Sequence, residues 1–148
     1  MWFSRAIFDL SHELKAWGAE PRFEVGQVVA RGFADLGFEE FQVLPGPKIL
    51  SLTAGTMSEL PEAHLHHFFW IPSVDECVKL SELNGLMDCR CVRDSGRDWR
   101  VTGVCCETEL HAVARSLHEA MLQMTLDVMR TAARVKTGSS AGNVGNSI

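Results

Sequence analysis

Apolar residues recur every three or four positions along the first segment of the chain, a spacing that places them on one side of an α-helix. Gly18 is suited to end this helix. A second helix is predicted to begin at Pro21, whose missing N–H is tolerated in a first turn, and to end at Gly37. The apolar sides of the two helices are Phe3, Ile7, Leu10, Leu14 and Trp17 in the first, and Val25, Val28, Val29, Phe33 and Leu36 in the second.

The pattern then changes to an alternation of apolar and polar residues, which is typical of β-strands. In "FEEFQVLPGPKILSLTAG", Phe41 and Val43 come before the turn "PGP", and Leu50 and Leu52 come after it. This arrangement predicts a β-hairpin. The stretch "HLHHFFWI", residues 64–71, is predicted as the next strand. Its aromatic residues fall on both faces, which indicates a strand that is covered on both sides.

A short helix and a second hairpin are predicted next. In "PSVDECVKLSELNG", Ser73 and Glu76 form a capping box and Gly85 ends the helix. With a three-residue "DSG" loop, the hairpin places Cys91 opposite Trp99. The side chains that this register gathers on one face are Met87, Cys89, Cys91, Trp99, Val101 and Cys105.

The last predicted element is the longest helix, which Thr108 is expected to cap. Its apolar side continues for about seven turns. Residues 137–148 have the composition of a flexible tail. The apolar side consists of Leu110, Val113, Leu117, Met121, Met124, Val128 and Val135.

These elements predict an α+β fold in the order α-α-β-β-β-α-β-β-α, with helices packed on a mainly antiparallel five-stranded sheet and a long C-terminal helix. We expect a single domain over residues 1–136, with residues 1–18 as an extra N-terminal helix, and a tail over residues 137–148. The chain has 148 residues, 46% of them hydrophobic. That length allows it to bury about two thirds of its unfolded surface.

Charge and cysteine content narrow the function classes. The net charge of -5 argues against a nucleic-acid partner, which needs a positive face. Five cysteines without a CxxC pair do not suggest a secreted disulfide framework. Neither a signal peptide nor an apolar stretch of the roughly 18 residues that a membrane span needs is visible. We therefore expect a cytoplasmic protein with no membrane partner.

Two groups of side chains are candidates for metal chemistry. On a strand, His64 and His66 would share one face while His67 points away, and the pair would need further ligands. Cys89, Cys91 and Cys105 share a face in the hairpin, but free cysteine usually packs like a small hydrophobic residue. Core packing is therefore favoured for the cysteines and a solvated strand end for the histidines. We expect neither a metal nor another cofactor.

Catalysis has no diagnostic motif in this sequence, whereas the last helix has features of an interaction surface. No nucleophile lies at a diagnostic spacing from a base. Met121 and Met124 lie on the helix's apolar side, and methionine is common on adaptable binding surfaces. The residues expected to contact a partner are Leu50, Leu52, Phe68, Trp70, Met121, Met124 and Val128.

The order of elements resembles bacterial type III secretion chaperones and the related YbjN-type proteins. The resemblance runs through "FADLGF", "KILSLTAGTMSELPE", "LSELNGLMDCRCVRD" and "WRVTGVCC" to the last helix, and it covers residues 25–135. Asn84 of "LSELNG" stands where those families often carry an asparagine. The helix before Gly18 and the histidine-rich strand depart from the pattern. The resemblance implies a cytoplasmic homodimer that binds another protein.

The leading functional hypothesis is a non-enzymatic, chaperone-like module that masks or presents a partner polypeptide as a homodimer. One alternative is a metal-dependent enzyme that uses His64 and His66. Another is a regulatory or structural subunit of a larger complex. The partner's identity is not encoded in any motif of the sequence.

Overall fold

A computed structural model describes the backbone of residues 2–33 and 37–145, and the side chains of residues 2–32 and 37–138. The chain divides into two compact units, Met1–Ser73 and Val74–Ile148. The α+β class, the antiparallel five-stranded sheet and the long C-terminal helix are confirmed. The single domain expected over residues 1–136 stays a prediction.

In its described residues, the first unit contains one α-helix, a 3-10 helix and a five-stranded antiparallel sheet in the order β4-β3-β2-β1-β5. Its elements are α1 (Arg5–Ala16), β1 (Val28–Phe33), β2 (Gly37–Leu44), β3 (Lys48–Ser51), β4 (Met57–Glu59), the 3-10 helix (Glu62–His67) and β5 (Phe69–Ile71).

The predicted first helix is confirmed as α1. The side chain of Ser4 caps it by accepting a hydrogen bond from the backbone N–H of Ile7. Gly18, which follows the helix, has a φ of +98°, a conformation that glycine adopts without strain. Phe8 is fully buried and stacks on Phe38 with 4.9 Å between ring centroids. The apolar side of α1 therefore covers one face of the five-stranded sheet.

The second predicted helix, from Pro21 to Gly37, is wrong, because β1 occupies Val28–Phe33. This strand pairs with β2 on one side and with β5 on the other, so its backbone groups are satisfied by sheet partners. β-Branched residues such as Val28 and Val29 suit that central position. Gly37 begins β2 instead of ending a helix, and Leu36 lies outside the described residues.

The first hairpin is confirmed, since β2 and β3 pair up to Leu44 opposite Lys48 across the predicted turn. The next strand, however, is shorter than predicted. Of residues 64–71, the strand comprises Phe69–Ile71, and the histidines before it lie in the 3-10 helix. The Nζ of Lys15 on α1 donates hydrogen bonds to the carbonyl oxygens of His66 and Phe68. These bonds hold the end of the 3-10 helix in place before β5.

The prediction that this strand is covered on both sides is confirmed. On one side Phe69 meets the rings of His12 and Phe38. On the other side Phe68 meets the rings of Phe23 and Phe41. Phe68 and Phe69 are both buried, which explains why apolar residues follow one another here without alternation.

The part of the second unit that the structure describes contains two helices and a three-stranded antiparallel sheet in the order β6-β7-β8. The predicted short helix is confirmed, and Gly85 follows it with a φ of +103°. The elements are α2 (Val74–Leu83), β6 (Leu86–Arg93), β7 (Trp99–Cys105), β8 (Thr108–Ala114) and α3 (Leu117–Gly145).

The predicted register of the second hairpin is wrong by two residues, because its loop is longer than "DSG". The backbone N–H of Asp94 bonds to the carbonyl oxygen of Asp98, and Cys91 lies opposite Val101 rather than Trp99. A two-residue shift keeps each side chain on its predicted face. A bulge between Met87 and Arg90 then reverses the faces, so Met87 lies on the exposed side of the sheet.

The long helix begins at Leu117 rather than after Thr108. Thr108–Ala114 is β8, which a tight turn joins to β7. Ser116 accepts a hydrogen bond from the backbone N–H of Glu119 and so caps the start of α3. The helix continues to Gly145, through most of the tail that composition predicted over residues 137–148. Among the described residues, none of the helices combines the length and apolar character needed to cross a membrane.

Candidate partner-binding surface

Four of the residues predicted to contact a partner are fully buried by the chain itself. Met121, Met124 and Val128 on α3 have no exposed surface, and neither has Phe68. In the second unit, α3 lies against β7 and β8 and against α2, so its apolar side is already covered. The expectation that these four residues present apolar surface to a partner is wrong.

The other three predicted partner-binding residues, Leu50, Leu52 and Trp70, are half-buried. Leu50 lies between Gln42 of β2 and Met57 of β4 in the sheet. The Leu52 carbonyl oxygen accepts a hydrogen bond from the Trp2 indole N–H at 2.6 Å. The Trp70 indole N–H is buried and has no hydrogen-bond partner among the described residues. A partner contact at these three positions stays a prediction.

The three histidines of "HLHHFFWI" form an exposed cluster on the 3-10 helix. The ring centroids of His66 and His67 are 4.0 Å apart, and those of His64 and His67 are 5.7 Å apart. The pKa of His67 is lowered, first by the charge of His66 and then by desolvation, His64 and Lys15. Within the described residues, the structure contains no group of three or more His, Cys, Asp or Glu side chains arranged to hold a metal ion. The metal-dependent enzyme hypothesis therefore gains no geometric support.

The predicted cysteine face is only partly buried. Cys105 is buried, Cys89 is half-buried and Cys91 is exposed, so core packing is confirmed for Cys105 and wrong for Cys91. Burial raises the pKa of the Cys89 and Cys105 thiols to about 11. Burial also raises the pKa of Cys77, between α2 and α3, to about 12. The difference within β6 arises because Cys91 lies near the end of an edge strand.

The second unit's sheet has one covered and one exposed face. Val101, Gly103 and Cys105 of β7 are buried on the face toward α3. The alternate residues of β7 point the other way, into what we call the open face. The cross-strand rows of the open face are Val92–Arg100–Val113, Arg90–Thr102–His111 and Met87–Val104–Glu109.

The open face combines exposed apolar and charged side chains around a shallow depression of about 460 Å³. Met87, Val92 and Val113 are exposed by 63%, 54% and 48%, which is unusual for large apolar side chains in one sheet. The residues that line the depression are Asp88, Arg90, Arg100, Thr102, Gly103, Val104, Glu109, Leu110 and His111.

The acidic and basic side chains of the open face lie in different rows of the sheet. Asp88 and Glu109 lie at the end near the β7–β8 turn, and Arg90 and His111 flank Thr102 in the middle row. Arg100 forms an ion pair of 3.1 Å with Asp94 of the hairpin loop. Such a surface can accept both apolar and charged side chains.

Sequence reasoning missed this surface because it assigned Glu109 and His111 to a helix. The available signal was the alternation of "TELHAVA", in which Leu110 and Ala112 face inward and the intervening residues face outward. That alternation has the period of a strand. Because the prediction lacked β8, it placed Arg90 and Arg100 in a two-stranded hairpin, and these residues did not suggest a site.

β6 forms an edge of this sheet. Among the described residues it pairs only with β7. Of its eight residues, Leu86 is buried and Cys89 is half-buried, and the other six are exposed. The backbone groups on the outer side of β6 are therefore placed to pair with another strand.

Comparison of the chain with protein-family models, curated proteins and solved structures gives no match.

Proposed function

We propose that this protein is a non-enzymatic, chaperone-like binding protein that holds an extended segment of a partner polypeptide against β6. The observation that carries this proposal is the exposed edge of β6 in the described part of the second unit. An added strand gains main-chain hydrogen bonds at such an edge, and its alternate side chains reach the adjacent face.

The open face supplies the second half of the proposed contact. A strand paired with β6 extends the sheet, so half of its side chains lie beside Met87, Arg90 and Val92. Burying the exposed parts of Met87 and Val92 removes apolar surface from water, at about 25 cal/mol per Å². The depression next to these residues leaves room for a larger side chain of the partner.

Charge favours an acidic partner segment. The chain as a whole carries a net charge of -5, yet β6 carries Arg90 and Arg93 against the single acid Asp88. In antiparallel pairs, opposite charges on facing residues stabilise the pairing and like charges destabilise it. We therefore propose a partner strand that alternates apolar residues with Asp or Glu.

The proposal retains the homodimer and the cytoplasmic location expected from the sequence. None of the five cysteines, which all lie in the described residues, forms a disulfide, and this suits a reducing compartment. A second copy of the chain is the main competitor for the β6 edge, because two-fold symmetry is the commonest closure of a homodimer. Light scattering coupled to size exclusion, with and without a saturating peptide, separates a dimer through β6 from one through another surface.

The test uses synthetic peptides of alternating Val and Glu, with alternating Val and Lys peptides of the same length as controls. We expect the acidic peptide to bind and to protect β6 backbone amides from hydrogen exchange. Arg90 and Arg93 lie on opposite faces of β6, so an alternating peptide places its Glu side chains beside one of them in either orientation. The double substitution Arg90→Glu with Arg93→Glu should weaken binding severalfold, since that favourable charge contact becomes repulsive. Arg134→Glu, an exposed change on α3, is the matched control and should bind as the wild type does.

Two results would overturn the proposal. One is equal binding of the acidic and the basic peptide. The other is peptide binding that leaves hydrogen exchange of Leu86–Arg93 unchanged. A thermal melt of the double variant establishes that a loss of binding is not a loss of folding.

A further inference from the structure

Two adjacent thiols meet at the turn between β7 and β8. The Sγ atoms of Cys105 and Cys106 are 3.8 Å apart. Cys105 is fully buried, and its thiol also lies 3.8 Å from the carbonyl oxygen of Asn84, to which it donates. Cys106 is exposed. The pair therefore has one sulfur held by the fold and one that solvent reaches.

The backbone of the turn is unusual for the residues that form it. Cys105 pairs with Thr108, which leaves Cys106 and Glu107 as a two-residue loop. Their φ values are +52° and +65°, the left-handed conformation that such loops usually assign to Asn or Gly. A non-glycine residue held there is an outlier, of the kind that clusters at ligand sites. One of the two outliers in this turn is Cys106, whose thiol approaches Cys105.

A disulfide does not suit this pair. Neighbouring Cα atoms are about 3.8 Å apart, whereas a disulfide usually joins Cα atoms separated by about 4.4–6.8 Å. An ion between the sulfurs relieves that constraint, since two metal–sulfur bonds of about 2.3 Å span up to about 4.6 Å. The observed separation of 3.8 Å lies inside that reach.

The number of available ligands determines which metal ion suits this pair of thiols. Structural zinc takes about four ligands, and the described residues offer no cluster of even three His, Cys, Asp or Glu side chains. Soft thiolates favour Cu(I), an ion that two sulfurs can satisfy. We propose that Cys105 and Cys106 bind Cu(I) as a two-coordinate dithiolate, a site separate from the β6 edge and independent of the proposed function.

Binding exchanges protons for the ion. Two thiols and one Cu(I) give one copper dithiolate and two released protons, with no change of oxidation state. Because binding releases thiol protons, the affinity for Cu(I) should rise with pH.

The experiment must separate this pair from the other thiol pair of the hairpin. Cys89 and Cys91 lie two residues apart on β6 and their thiols interact, so they form a second dithiol. We therefore compare Cys91→Ser with Cys91→Ser/Cys106→Ser, both reduced, without oxygen, and titrated with Cu(I) against the chelator bicinchoninate. The single variant should hold one Cu(I) per chain. The double variant should bind at least about a hundredfold more weakly, a larger effect than the loss of a group that only supports a ligand.

Equal Cu(I) affinity in the two variants would overturn the proposal. X-ray absorption at the copper edge of the loaded single variant gives an independent readout, and we expect two sulfur neighbours. Nitrogen neighbours would assign the ion to the histidine cluster and would equally refute the site. Circular dichroism of both variants establishes that Cys106→Ser leaves the fold intact, as expected for an exposed residue.

Discussion

The hydroxyl group of Ser81 on α2 donates a hydrogen bond of 2.9 Å to the hydroxyl group of Thr125 on α3. Both side chains are fully buried, and Thr125 in turn donates to the carbonyl oxygen of Met121 at 2.8 Å. Each hydroxyl thus has a partner in an otherwise apolar contact between the two helices. This relay fixes how α2 and α3 pack in the second unit.

Thr125→Val should destabilise the protein by about 1–3 kcal/mol, because it keeps the side chain's shape but leaves the buried Ser81 hydroxyl without this acceptor. The double variant Ser81→Ala/Thr125→Val should lose less than the sum of the two single variants, since neither hydroxyl is then left alone. Chemical denaturation of the four proteins measures this coupling. Additive losses would show that the two hydroxyls do not stabilise one another.

Gly103→Ala should destabilise the second unit by about 1–3 kcal/mol through overpacking. A methyl group at this position would lie 2.5 Å from Leu86 Cδ1 and 3.2 Å from the carbonyl oxygen of Met87. Gly96→Ala in the hairpin loop is the matched control, since nothing lies within 4 Å of its added methyl. Thermal unfolding measures both, and equal melting temperatures for the two variants would contradict the close approach of β6 and β7.

Thiol labelling of the native protein should separate the five cysteines by burial. Cys91 and Cys106 are exposed and should react first. Cys77, with its pKa raised to about 12 by burial, should react only when the protein unfolds. Mass spectrometry of digests after timed exposure to a thiol reagent gives the order. Early labelling of Cys77 would show that the contact between α2 and α3 opens readily.

Stability should fall as pH rises from about 9 to about 12. Burial raises the pKa of Cys77 from 9.0 to about 12, so the folded state keeps this thiol protonated where the unfolded state ionises it. Within that window Cys77 accounts for one bound proton of difference between the two states, which lowers the free energy of unfolding by up to about 1.4 kcal/mol per pH unit. Cys89 and Cys105, whose pKa values are also raised, add to the slope up to about pH 11. Cys77→Ala should flatten the slope, and an unchanged slope would rule out this thiol as its cause.

His66→Ala should raise the pKa of His67 toward its ordinary value of 6.5, because the charge of His66 is the largest cause of its lowering. Nuclear magnetic resonance titration of the His67 ring measures the change. His12→Ala, at a ring outside the cluster, should leave the pKa of His67 unaltered. His64→Ala with His66→Ala should change stability by less than about 1 kcal/mol, as is usual for exposed positions.

Elements that rest on local signals could be predicted from the sequence. The stripe that ends at Gly18 became α1, the turn with Gly46 joined β2 to β3, and the helix that ends before Gly85 became α2. In each of these segments the period of apolar residues agrees with the residue that ends the element. Such agreement needs no distant contact, and so the α+β class and the long C-terminal helix followed from it.

Tertiary contacts set the conformation of the segments in which spatial neighbours override a local pattern. Val28 and Val29 carry a helical spacing, but pairing with both β2 and β5 makes them a strand. Met121 and Met124 have the composition of a binding surface, yet the sheet of their own unit buries them. The faces of the exposed β6 edge depend on a bulge in that strand. The contact between Cys105 and Cys106 depends on the tight turn after β7. Sequence periodicity does not encode these features, because one inserted residue in a strand reverses every face that follows.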